Sequence, residues 1–294
     1  MKIESVDRNH ICFLWPLILI IGLGSACTPL VPSATSSATP TEGSVQVGSV
    51  WIHRIAIGPI NCYLIESAEG LVLVDAGLPW LEQPILDKMA EIGRDDLRLI
   101  FITHAHIDHY GSAADLRRQT GALIAIHRAD AAAMGMGTTA LGSVRHLPYE
   151  VSEVVLPWIE PMLTIEPTQA DILLEDGDRL EAYGIDAFVM HTPGHTPGSA
   201  SLILAGRVAF VGDLIAVRQQ PQAQSSFAND WRVLAESLAR LQQYGPELVY
   251  TGHGHRALTT TELQKLRVQA SPTLPRILGL DPEIFRWPFN EPPE

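Results

Sequence analysis

The stretch Thr103-His104-Ala105-His106-Ile107-Asp108-His109 puts four side chains able to bind a metal within six residues, directly after the apolar run Leu99–Ile102. Imidazole and carboxylate are the donors that borderline divalent cations such as zinc favour. On an extended backbone His104 and His106 project to the same side, while Asp108 and His109 belong to the turn that follows. The chain has 11 histidines, and three of them fall in this one stretch, so a polar loop rich in histidine by chance is a poor explanation. The chemistry such a cluster could carry is metal-assisted hydrolysis. Further candidates stand alone in the sequence. His195 lies in Thr192-Pro193-Gly194-His195-Thr196-Pro197-Gly198, and Asp213 ends Val208-Ala209-Phe210-Val211-Gly212-Asp213. His253 lies in Thr251-Gly252-His253-Gly254-His255, where His255 has an equal claim by spacing. Asp75 sits in Val72-Leu73-Val74-Asp75-Ala76-Gly77, where it could equally cap a turn. Taken singly, these last residues read as loop and turn positions; His53, His127 and His146 read as structural or surface residues, and His191 as a strand end.

Elements able to position them can be placed by periodicity. Val50–Ile57, Ile60–Glu66 and Leu71–Val74 are short β-rich runs separated by glycine-containing turns, and the spacing predicts a helix over 80–92. Leu99–Thr103 reads as a strand, 111–119 as a helix, Leu123–Ile126 as a strand, and 127–134 is rich in alanine. Residues 135–170 have several glycines and prolines without clean periodicity, and read as an insert or lid. Strands resume at 171–175, 179–183, 186–190, 199–204 and 207–211, followed by an amphipathic helix over 230–243, a strand at 247–250 and a helix over 260–269. Strands, then helix–strand alternation, then the same scheme again implies two sheets packed together with helices outside.

Taken in order, these motifs resemble the metallo-β-lactamase superfamily: HxHxDH after an apolar strand, a glycine-rich histidine motif, an aspartate after a strand and a late histidine. The likeness spans about residues 50–256. It implies an α/β chain folded as an αββα four-layer sandwich with the site at one edge of its two sheets. It also implies that His104, His106 and His195 hold one divalent metal, that Asp108, His109 and His253 hold a second, and that Asp213 bridges both. The family's late-histidine motif favours His253 over His255, and in the family the aspartate at the place of Asp75 supports the metals from behind their ligands, which favours a supporting role for Asp75 over a turn cap. Two ions roughly 3.5–4 Å apart can share a water and lower its pKa, giving a bridging hydroxide that attacks an ester, thioester or lactone. Asp108, with a second oxygen to offer that water, is the catalytic candidate for orienting it and accepting its proton. Zinc is the first choice of metal, and a site without thiolate also suits manganese or iron. True β-lactamases of the family generally carry cysteine or serine where Asp213 stands, so Asp213 argues for a branch similar to glyoxalase II. Acyl-homoserine lactonases carry a tyrosine shortly after that aspartate, and Leu214-Ile215-Ala216-Val217 has none. β-Lactamase or phosphodiesterase activity at the same site, or a non-catalytic exported metal-binding protein, are the alternatives.

The rest of the composition bounds partners and location. A net charge of −13 and a pI near 5.2 repel phosphate backbones, so a small-molecule substrate is expected and nucleic acid is not. Residues 1–27 read as a bacterial export signal, with the apolar run 11–24 too short to span a bilayer and Gly24-Ser25-Ala26 leading into Cys27. That pattern resembles a lipoprotein signal, implying lipidation at Cys27 and anchoring to the cell envelope; an uncleaved signal anchor is the other membrane attachment. Residues 28–48 read as a Ser/Thr/Pro-rich tether, 49–270 as the hydrolase domain and 271–294 as a C-terminal tail. In a bacterial host, a fatty-acid analogue should label the wild type and not Cys27→Ser; an unlabelled wild type released in soluble form would remove lipidation while leaving export standing.

Overall fold

A computed structural model describes residues 43–139, 141–144, 158, 163–217 and 220–268. The export signal with Cys27, most of the tether, the C-terminal tail, His146, and the central part of the expected lid (145–157 and 159–162) lie outside the described residues. Strands β1 (Ser44–Val47), β2 (Val50–Ile57), β3 (Ile60–Glu66) and β4 (Leu71–Val74) form an antiparallel meander. β5 (Leu97–Ile102) and β6 (Leu123–His127) continue the sheet in parallel. After the two-residue β7 (Ser143–Val144), β8 (Ile172–Leu174) closes a seven-stranded sheet in the order β1-β2-β3-β4-β5-β6-β8.

The second sheet is built from β9 (Ala187–His191), β10 (Ala200–Leu204), β11 (Val208–Phe210) and, late in the chain, two more strands. Before those come the short β12 (Ile215–Val217), β13 (Pro221–Ala223) and β14 (Phe227–Ala228). Then follow β15 (Leu248–Tyr250), β16 (His253–Gly254) and β17 (Leu258–Thr259). The sheet order is β17-β15-β11-β10-β9, while β12, β13 and β16 make a small separate sheet and β14 pairs with β7.

Burial on both faces of the strands explains the layers. Along β5, Leu99 and Phe101 face a core shared with Val189, Leu202, Phe210 and Tyr250 of the second sheet. The alternate residues Ile100 and Ile102 face a core with Ile85 and Met89 of α1 (Gln83–Glu91). The same core takes Tyr110 of α2 (Ile107–Tyr110), Leu116 of α3 (Ala113–Thr120) and Met134 of α4 (Arg128–Met136). On the far side, Trp231, Leu234, Leu238 and Leu241 form the buried stripe of α5 (Trp231–Tyr244) against Met190, Ile203, Ala209 and Val249. Asp230 caps that helix by accepting from the amides of Arg232 and Val233, and Gly245 ends it in the left-handed region. The result is helix, sheet, sheet, helix, the four-layer sandwich expected from the sequence.

Local expectations differ in three places. Ser44–Val47, expected as the end of the tether, is strand β1, paired with β2 at the edge of the first sheet, so the domain begins several residues before position 49. Residues 179–183 are not a strand: Arg179 makes one isolated bridge to Phe188, and Glu181–Tyr183 forms a 3₁₀ turn that Gly184 closes at φ +85°. The helix expected over 260–269 is a single turn, α6 (Thr260–Leu263), fixed by a capping box between Thr259 and Glu262. Among the described residues no helix is long and apolar enough to cross a membrane. Phe101 is wholly buried between the sheets, so Phe101→Ala should cost about 3–5 kcal/mol in denaturant unfolding. A loss below about 1 kcal/mol would mean that this residue does not fill the layer between the sheets.

Candidate metal centre

Strand direction decides where the chemistry-bearing residues meet. β4 and β5 run parallel, and so do β11 and β15; β9 is antiparallel to β10, which is antiparallel to β11. The C-terminal ends of β9, β11 and β15 therefore share one edge of their sheet, as those of β4 and β5 do in the other. Asp75 leaves β4, His104 and His106 leave β5, His195 follows β9, Asp213 follows β11, and His253 follows β15. Asp108 and His109 sit in α2, the single helical turn that ends the β5 loop.

The structure brings the ligand atoms of His104, His106 and His195 within 4.8 Å of one another, and does the same for Asp108, His109 and His253. A third such group, His104, His109 and Asp213, spans the other two. Asp213 Oδ2 lies 3.6 Å from His195 Nε2 and 3.3 Å from His253 Nε2, while its Oδ1 lies 3.4 Å from His109 Nε2. One carboxylate thus faces histidines of both outer groups. His106 Nδ1 and His195 Nε2 face each other at 3.1 Å, as two ligands of one ion would. His255 is exposed and belongs to none of these groups.

Tautomers point the same way. Thr103 Oγ1 donates to Asp75 Oδ2, so its remaining role toward His104 Nδ1, 3.1 Å away, is to accept. That puts the His104 proton on Nδ1 and a lone pair on Nε2. His109 Nδ1 donates to Asp75 Oδ2 at 2.8 Å, His195 Nδ1 to the carbonyl of Phe227 at 2.9 Å, and His253 Nδ1 to that of Pro59 at 3.1 Å. Metal-bound histidines characteristically give their other N–H to a carboxylate or carbonyl in this manner. Buried His104 Nε2, His109 Nε2 and Asp213 Oδ1 have no hydrogen-bond partner. Atoms of this kind are expensive to bury unless something electropositive faces them, and the donor set of imidazoles and carboxylates fits divalent cations.

Several supporting residues carry no sequence signal of their own. Asn61 donates from Nδ2 to the carbonyls of Thr251 and Gly254, Tyr63 donates from its hydroxyl to Thr251, and Arg54 donates to Asn61 and Gly254. Together they pin the His253 loop to the first sheet. Gln224, buried beside Asp213, donates to its backbone carbonyl. The first part of the expected lid touches the centre: Thr139 Oγ1 accepts from the Ile107 amide, and β7 pairs with the β14 residue whose carbonyl holds His195. His53 is buried between Ser44 and Glu66, and His127 stacks on His191 at 3.8 Å, away from the centre's ligand groups.

Charge is sorted within the cluster. Burial, reinforced by neighbouring imidazoles, pushes the His104 pKa well below the usual histidine value, and burial with His106 takes His195 down to about 3. Burial also opposes charge on His109 and His253, but there the carboxylates win. Asp75, Asp108 and Asp213 hold His109 well above its ordinary value, and Asp213 with Asp108 raises His253 to about 10. Burial would raise Asp108 and Asp213 in turn, yet the facing histidines outweigh it and keep both ionised. A cation entering beside His253 must displace a proton held up to about pH 10, so zinc affinity should rise with pH toward that value. Calorimetry near neutral pH in buffers of different ionisation enthalpy should show proton release on zinc uptake; its absence would mean that these nitrogens are not ligands.

Residues 56–253 match the metallo-beta-lactamase superfamily. The chain is 26% identical over 236 residues to the Bacillus subtilis (strain 168) protein named "Probable metallo-hydrolase YflN", covering 69% of this chain and 83% of that one. It is 26% identical over 228 residues to an N-acyl homoserine lactonase of a Bacillus species, covering 66% and 81%. Among solved structures, the Rm3 metallo-beta-lactamase superposes with a TM-score of 0.54 at 24% identity, covering 74% of this chain and 79% of that one. The four-layer fold, the His/Asp clusters at one edge of its sheets and the match over most of the described residues agree: the chain belongs to the metallo-β-lactamase superfamily and is a metallo-hydrolase.

Proposed function

We propose that this hydrolase is dinuclear and cleaves a small-molecule ester, thioester or lactone, in a manner similar to glyoxalase II. The observation that carries this reading is Asp213, whose two oxygens face histidines of both outer ligand groups. His104, His106 and His195 would hold one cation, Asp108, His109 and His253 the other, and Asp213 both. Bound there, the cations would supply Lewis acidity, bringing the pKa of water toward neutrality and drawing charge from an acyl oxygen. Asp213 would offset the repulsion between them.

The remaining chemistry belongs to the side chains. His104, His109 and His195 are at most 1% exposed, whereas Asp108 and His253 keep about a quarter of their side-chain surface open. Substrate and water therefore reach the centre from the Asp108–His253 side. Asp108, held ionised there, would accept the proton of the attacking water and pass it to solvent. The lactonase relative supports including cyclic esters in the class, while the apolar run Leu214–Val217 argues that any lactone is held differently from a site that uses a tyrosine. Lipidation at Cys27 would hold the enzyme at the bacterial envelope, and the acidic chain supports a small molecule over nucleic acid.

Metal analysis of the purified protein should give about two divalent ions per chain, and a panel of thioesters, lactones, β-lactams and phosphodiesters should show turnover on an acyl substrate. Turnover of β-lactams or phosphodiesters alone would replace the substrate class, and full metal loading with no turnover would favour a metal-binding protein. Asp213→Ala should lose much of the second ion and most of kcat/KM. Asp75→Asn, which touches His109 only from behind, should cost about 10–100-fold. Two ions and a near-normal rate in Asp213→Ala would show that this residue is only part of a turn.

A further inference from the structure

The carboxylate of Asp130 is 2% exposed and used by no step above, yet it joins two ligand-bearing loops. Its Oδ2 accepts from the amide of Ala105 at 2.8 Å and from Thr196 Oγ1 at 2.7 Å, and its Oδ1 accepts from the amide of Gly198 at 2.6 Å. Ala105 lies between His104 and His106, and Thr196 follows His195. A single side chain from α4 thus ties the loops that carry the three histidines of one ligand group. The approach is tight enough to dictate sequence. A Cβ at Gly198 would stand 2.5 Å from the Asp130 amide nitrogen and 2.6 Å from its Cβ and Cγ, so the last glycine of Thr192–Gly198 is the space Asp130 occupies. Ser199 completes the arrangement: its hydroxyl accepts from the Thr196 amide and lies 2.7 Å from Thr196 Oγ1, whose proton goes to Asp130.

We infer that Asp130 is a positioning residue that sets the His104–His106–His195 group, as Asp75 sets the group containing His109. Asp75 takes the Thr103 amide and hydroxyl and His109 Nδ1, and of the two carboxylates it alone holds a ring of the second group. Asp75 also reaches His104 through the Thr103 hydroxyl, whereas the hydrogen bonds of Asp130 go only to the loops of the first group. Asp130 acts through backbone and hydroxyl donors and touches no ligand ring. All three of its partners are donors, so an amide of the same shape cannot satisfy them: whichever way it is turned, its NH₂ faces at least one of them.

The inference rests on the dinuclear reading, and zinc binding by the full chain in detergent separates the two. Competition with a fluorescent chelator should resolve two zinc affinities in the wild type, and ¹⁵N-histidine NMR should assign one to His106 and His195 and the other to His109 and His253. Asp130→Asn and the isosteric Thr196→Val should weaken the zinc at His106 and His195 by about 10–100-fold, while the other stays within about threefold. Thr196→Ser, which keeps the hydroxyl, should restore the wild-type value within about threefold. Equal weakening of both zincs, no weakening of either, or a Thr196→Ser variant as weak as Thr196→Val would overturn the division of roles. A wild type that binds no second zinc would overturn the dinuclear reading and the inference with it.

Discussion

Three buried polar atoms without a hydrogen-bond partner, His104 Nε2, His109 Nε2 and Asp213 Oδ1, set the terms for the rest of this fold. Each buried polar atom left unsatisfied costs about 1–3 kcal/mol, and here several are concentrated in one place with further imidazoles around them. A protein tolerates that concentration when an electropositive partner faces it and the surrounding structure prevents relaxation. The surroundings do so by taking up the opposite nitrogen of the rings. Asp75, the carbonyls of Phe227 and Pro59, and the hydroxyl of Thr103 each engage an Nδ1, leaving Nε2 with no alternative but to face inward.

Convergence of this kind requires two sheets. The ligands come from positions as far apart in sequence as His104 and His253, and no single loop could bring them together. Parallel pairing of β4 with β5 and of β11 with β15 sends consecutive strands of each sheet toward the same edge, and the core containing Phe101, Phe210 and Tyr250 fixes the sheets against each other. Hydrogen bonds from Asn61, Tyr63 and Arg54 to the Thr251–Gly254 backbone then cross from the first sheet to the last ligand loop. The geometry of His253 therefore depends on the meander at the start of the domain as much as on the strand that carries it.

Much of this was legible in the sequence because ligands and strands leave local marks. Four donors in six residues after an apolar run need no tertiary information, and neither does the buried stripe of α5. The supporting residues leave no such mark. Asp130 is one carboxylate in an alanine-rich helix, and Asn61 is one amide in an apolar strand; their importance lies in partners 25 to 193 residues away. The 3₁₀ turn at Glu181–Tyr183 was hidden for a related reason. It lies between the strand Ile172–Leu174 and the strand Ala187–His191, but Gly184 turns the chain before pairing can extend beyond Arg179.

The glycines that precede two of the late ligands show how close the backbone must come. Gly212 stands just before Asp213 at φ +50°, a conformation that side chains disfavour, and a Cβ there would lie 2.5 Å from Thr103 Oγ1. Gly252 stands just before His253, and a Cβ there would lie 2.5 Å from His109 Cε1 and 2.7 Å from Asp213 Oδ1. In both cases the atoms met belong to the metal centre or its direct support. The Gly-Asp and Gly-His pairs in the sequence are therefore parts of one steric condition. A ligand that must approach the ligands of the other strands can do so only if the residue before it brings no side chain into the same space.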